Sequence, residues 1–163
     1  MWSLVAVVVH VLIVFWLVGG IVARDIAYGL AARESNLDAL RTFVRFGGHA
    51  ERHFVRPATF AVLVAGLIAA WARGWPILGA LQGAHVNWVL TALVIYLSII
   101  PVIVLVFLPR GRVFRVAFDA AIAEGRVTPA LTAALNDPAV RLARGYELLM
   151  IATLTVLMVM RPF

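Results

Sequence analysis

Apolar positions run almost unbroken through four stretches of this chain, with the polar positions gathered between them. The first stretch, Trp2 to Ala23, reads WSLVAVVVHVLIVFWLVGGIVA and holds one imidazole and no charged side chain. At ~1.5 Å per residue it makes a helix ~33 Å long, against a hydrocarbon core of ~30 Å. Comparable runs over residues 54–72, 88–108 and 142–160 predict three more spans, beside the first at 2–23. The expected architecture is an all-α membrane protein, one domain over 1–163 with four transmembrane helices in a bundle.

The connections show a different period. Leu37, Leu40 and Val44 alternate with Arg41 and Arg45 at helical spacing, after Ser35 and Asp38 in the pattern of a capping box. Gly47-Gly48 is expected to end this short helix, and Pro57 to sit in the first turn of the second span. Within that span Gly66 is a point of close helix packing. Pro101 denies the Leu97 carbonyl its helical donor and predicts a kink in the third span, eased by Ser98. After Pro109, the positions Val113, Phe114, Ala117, Phe118, Ala121 and Ile122 form one apolar stripe that Gly125 terminates. Thr128-Pro129 opens a further short helix, and Asp137 with Pro138 caps the last one. The uncharged part of that helix, Leu148 to Met160, covers only ~20 Å. Arg144 and Glu147 therefore lie at the membrane boundary, three apart on one face, where a structural ion pair between them is expected.

Composition supports the membrane class and excludes a water-soluble core. Hydrophobic residues make up 64% of the chain and charged ones 13%, against ~45–50% and ~25% in soluble domains. With no cysteine, disulfides, thiolate metal sites and iron–sulfur ligation are excluded. The net charge of +6 comes from arginines that sort by connection. Arg24, Arg33, Arg41, Arg45, Arg52 and Arg56 lie between spans one and two, and Arg110, Arg112, Arg115, Arg126, Arg141 and Arg144 between spans three and four. The remaining connection holds Arg73 alone and the C-terminal end Arg161. This bias predicts a bacterial inner-membrane protein with both termini outside and the two amphipathic segments as short inner-surface helices. The arginines are thus assigned to topology and to anionic lipid head groups at the inner leaflet, not to nucleic acid. The first run lacks a preceding positive region and is too long for a signal peptide, so it is expected to remain as a span. The two halves share a plan, each a hairpin with six arginines in its connection, which allows a parallel repeat.

Candidate chemistry rests on histidine. His10 lies inside the first span on a face with Ser3, Val7, Val14, Leu17 and Ile21. An ionisable group there marks a functional path or a helix-to-helix hydrogen bond, and haem ligation, metal binding and proton relay all remain open. His85, in QGAHVNW at the mouth of the third span, matches it in depth, and two imidazoles from two helices are how membrane b-type cytochromes hold iron. Cofactor binding is therefore expected, if anywhere, at His10 and His85, with haem b as the group. His49 and His53 are four apart, the spacing of two metal ligands, but their cationic surroundings favour a solvated cluster against lipid heads.

The His10 helix ending in Gly19-Gly20, the run Arg56-Pro57-Ala58, Gly66-Leu67, and the ending Leu157-Met158-Val159-Met160-Arg161-Pro162 together resemble the bacterial integral membrane family catalogued as domain of unknown function 2269. That family more often has lysine at the position of Arg161. The resemblance implies four spans and no established activity. More distantly, His10 followed by Gly-Gly is similar to the copper-resistance D proteins and to the four-helix membrane protoporphyrinogen oxidase, whose first-helix histidine works with haem. The lysine that accompanies that chemistry has no counterpart in a chain without lysine, which argues against oxidase activity. Two functions follow as expectations: a haem b or metal-binding redox module centred on His10, or a non-catalytic accessory subunit that packs against other membrane subunits or a second copy.

Overall fold

The computed structural model describes residues 1–161; Pro162, the last residue of the family-like ending, and Phe163 lie outside the described residues. Four helical rods are long and apolar enough to cross a membrane, Trp2–Ala31, Leu37–Ala72, Trp88–Glu124 and Pro129–Met160. Each contains one of the expected spans, and all regular structure among the described residues is helical. The 36 residues of the second rod would reach ~54 Å, far beyond ~30 Å of hydrocarbon. The excess lies at the arginine-rich end, opposite the end that carries the two termini.

That excess corrects the expectation of separate helices lying on the inner surface. The first rod is helix α1 (Trp2–Ala31). The second is continuous: α2 (Leu37–Ala50), a π-turn (Glu51–Val55) and α3 (Arg56–Ala72). Gly47 does not break it. A Cβ at Gly47 would stand 3.0 Å from the Tyr28 ring and 3.3 Å from Ala27 Cβ, so the glycine serves the close approach of α1 and α2. Pro57 stands in the first turn of α3, as its position predicts, but α3 continues the rod. Its ring would meet the carbonyl of His53 in a regular α-helix, and the π-turn immediately before it moves that carbonyl aside.

The third rod repeats this device. It comprises α4 (Trp88–Leu97), α5 (Ile99–Val102), a second π-turn (Ile103–Phe107) and α6 (Leu108–Glu124), with Pro109 at the start of α6. The kink expected from Pro101 appears as the break at Ser98, whose hydroxyl donates to the Ile95 carbonyl. Gly125 ends α6 with φ +68°, a left-handed conformation open to glycine. Helices α7 (Pro129–Leu135) and α8 (Pro138–Met160) complete the chain. Asp137 caps α8, its Oδ1 accepting from Ala139 N at 2.8 Å. Asn36, rather than Ser35, caps α2, accepting from Asp38 N and Ala39 N at 2.9 and 3.0 Å.

The rods associate in pairs, α1 with α2 and α3, and α8 with α4 and the second π-turn, while α7 packs on α6. Three apolar clusters join them. At the arginine-rich end Ala31, Leu40, Val44, Ala117, Ala121 and Leu131 pack together, so the amphipathic faces of both long connections bury each other. Mid-span, Leu17 and Ile21 meet Val55, Ala58 and Val62. At the terminal end Ala70, Trp88, Val89, Ala92 and Leu157 form the third. Between the pairs, the Tyr96 hydroxyl donates to the Thr59 carbonyl.

Candidate functional site

His10 is placed by α1 against α3 at the point where α3 has glycine. A Cβ on Gly66 would lie 3.0 Å from His10 Cε1, 3.3 Å from Nδ1 and 3.8 Å from Nε2. The edge of the ring that carries both nitrogens therefore faces the backbone of α3, in a space that only a missing side chain leaves. Nδ1 is buried there with no hydrogen-bond partner, a costly state for a polar atom in an apolar setting.

His85 is not brought to it. That residue stands exposed in the loop before α4, where its carbonyl accepts from Asn87 Nδ2 at 3.3 Å. An iron held by two imidazoles requires its macrocycle between them, and the nitrogen edge of His10 is already filled by α3. His10 and His85 as they stand do not fit haem b. His49 and His53 are brought together on one face as their spacing predicts, with ring centroids 4.4 Å apart. Both are exposed, and among the described residues no group of three or more His, Cys, Asp or Glu is placed to hold a metal ion.

The polar centre of the molecule lies elsewhere, around Arg24. Its side chain is 8% exposed, and three carboxylates converge on it. Nη2 meets Glu147 Oε2 at 2.5 Å, Nε meets Asp25 Oδ1 at 2.9 Å, and Nη1 meets Glu51 Oε2 at 3.2 Å. Two further arginines close the set: Arg144 Nε lies 3.6 Å from Asp25 Oδ1, and Arg56 Nε lies 3.2 Å from Glu51 Oε1. The Arg144 guanidinium also covers the Tyr28 ring, 4.9 Å from its centroid. Three cations thus face three carboxylates, contributed by α1, the second rod and α8.

The ion pair expected between Arg144 and Glu147 is replaced by this arrangement. Each side chain finds its partner on α1, Glu147 at Arg24 and Arg144 at Asp25. The reason is that α8 presents that face to α1, so the partners across the interface are closer than the neighbour one turn along. Arg24 itself was assigned to topology by the sequence, yet it continues the His10 face: residues 10, 14, 17, 21 and 24 follow at steps of three and four, and Leu17, Ile21, Arg24, Ala27 and Ala31 are all buried. Extending the stripe past the apolar run finds the centre. No family model matches the chain, and neither the curated proteins nor the solved structures contain a match.

Proposed function

We propose that this chain is a non-catalytic accessory protein of a bacterial inner membrane, which packs against other membrane subunits or a second copy and uses His10 to fit α1 against α3. The seating of His10 in the gap at Gly66 carries this reading, because it gives the intramembrane imidazole a packing task and leaves no width for a planar cofactor. The arginine-rich end is assigned to the cytoplasm and both termini to the outside, on the charge bias of the connections. Membership of the family of domain of unknown function 2269 is part of the same proposal, resting on His10, Gly19-Gly20, Arg56-Pro57 and Gly66-Leu67.

An absorption spectrum of protein purified in mild detergent, with native gel migration of the same sample, tests this. The expected result is a colourless protein that migrates in a larger assembly, with a spectrum unchanged by His10→Ala. A Soret band lost in His10→Ala overturns it. The second reading, a haem b or metal-binding redox module on His10, is favoured by one observation, the buried Nδ1 without a partner. It requires α1 and α3 to part at Gly66. Orientation is checked by single cysteines at Ser35 and Gln82, since the chain has none of its own. Labelling of Ser35→Cys from the periplasmic side would reverse the assignment.

A further inference from the structure

Gly19 and Gly20 are neighbours with different tasks. A Cβ on Gly20 would come within 2.7 Å of Phe54 Cβ, so that glycine is needed for α1 to meet the second rod. A Cβ on Gly19 would meet nothing within 4 Å. Its missing side chain leaves a groove of about 260 Å³, walled by Phe15, Trp16, Phe46 and Phe54, with His49 at its rim. All four aromatic residues are exposed on the outer surface of the rods. The groove is smaller than the ~300–1,000 Å³ of sites that enclose a compact ligand, and it is partly open with an almost wholly apolar lining. That shape takes one flexible hydrocarbon chain.

One basic side chain, His49, lines the groove itself. On the second rod Arg45 stands one turn before His49 and Arg52 three residues after it, and both arginines are exposed. Among the described residues neither Arg45 nor Arg52 has a carboxylate within 4.0 Å, whereas Arg24 and Arg56 in the same connection are both paired. Arginine groups and an imidazole N–H beside an acyl-sized groove at the boundary of the apolar run recognise a phosphate ester attached to a hydrocarbon chain. We propose that this groove is a binding site for an anionic phospholipid, with one acyl chain along Gly19 and the phosphate on Arg45, His49 and Arg52. The site lies nine residues from His10 along α1, ~13 Å, and is independent of what His10 does.

Native mass spectrometry of the full chain, released from detergent after addition of dioleoyl phosphatidylglycerol or dioleoyl phosphatidylcholine, tests the site. The wild type is expected to retain one phosphatidylglycerol and to discriminate against the phosphatidylcholine with the same tails. R45Q/R52Q is expected to weaken retention about 25-fold, each arginine contributing roughly fivefold. Gly19→Leu, which fills the groove without touching the chain, is expected to weaken it about tenfold or more. Should Gly19→Leu fail to fold, the R45Q/R52Q pair at exposed positions decides. Equal retention of the two lipids, unchanged retention in R45Q/R52Q or in a folded Gly19→Leu, or equally tight binding of glycerol 3-phosphate without tails, would each overturn the proposal.

Discussion

Replacing Arg24 by methionine keeps an unbranched but shorter and uncharged side chain, and removes the only cation that Glu147 touches among the described residues. The Glu147 side chain is 9% exposed, so its charge is left buried without compensation, while Asp25 and Glu51 retain Arg144 and Arg56. Breaking one partner of a buried pair costs ~3–5 kcal/mol. For a chain of this size, each kcal/mol moves the midpoint by ~2–4 °C, so a fall of roughly 6–20 °C is expected in a thermal melt followed by circular dichroism in detergent. Glu147→Met is expected to cost less, because Arg24 keeps Asp25 and Glu51. The double variant is the sharper test. With both groups gone, the charges that remain form two pairs, Arg144 with Asp25 and Arg56 with Glu51, and at least half of the loss should return. An Arg24→Met variant that melts within ~1 kcal/mol of the wild type, or a double variant no more stable than Arg24→Met alone, would refute the reasoning.

Three further outcomes follow from the same geometry. Gly20→Val drives a methyl into Phe54 and should cost ~1–3 kcal/mol in the melt, whereas Gly19→Ala, with open space around it, should stay within ~0.5 kcal/mol. Gly66→Ala should cost ~1–2 kcal/mol, a loss that disappears in a His10→Ala background if the imidazole is what the new methyl meets. Tyr96→Phe removes the hydrogen bond to the Thr59 carbonyl between the two helix pairs and should lower stability by ~1 kcal/mol, with the apolar packing around position 96 retained.

Much of the fold is written in local signals. Asp137-Pro138 starts α8 and Thr128-Pro129 starts α7 because side-chain caps and proline act within one turn. Pro101 interrupts the third rod four residues after its target carbonyl. What local signals missed depends on neighbours distant in sequence. Gly47 reads as a terminator until the Tyr28 ring is placed beside it, and the π-turn that joins α2 to α3 ahead of Pro57 has no sequence mark of its own. The pairing of Arg144 and Glu147 follows helix spacing correctly, and fails only because α1 brings Arg24 and Asp25 nearer. His10 is legible as a polar residue inside the first span, and its Nδ1 is buried. Its position against Gly66, and the separation from His85, depend on which rods touch.

The π-turn at Glu51–Val55 also sets an angular phase. One additional residue per turn rotates everything beyond it by ~100° relative to an uninterrupted α-helix. Upstream of it, Gly47 sits against Tyr28; downstream, Gly66 receives His10. Both glycines belong to a single rod, and both must aim at α1, which a uniform helical pitch over that distance would not arrange. Shortening the chain by one residue between 51 and 55 would therefore leave each half intact and swing the second glycine away from the imidazole, making this turn the coupling that keeps the two ends of the molecule in step.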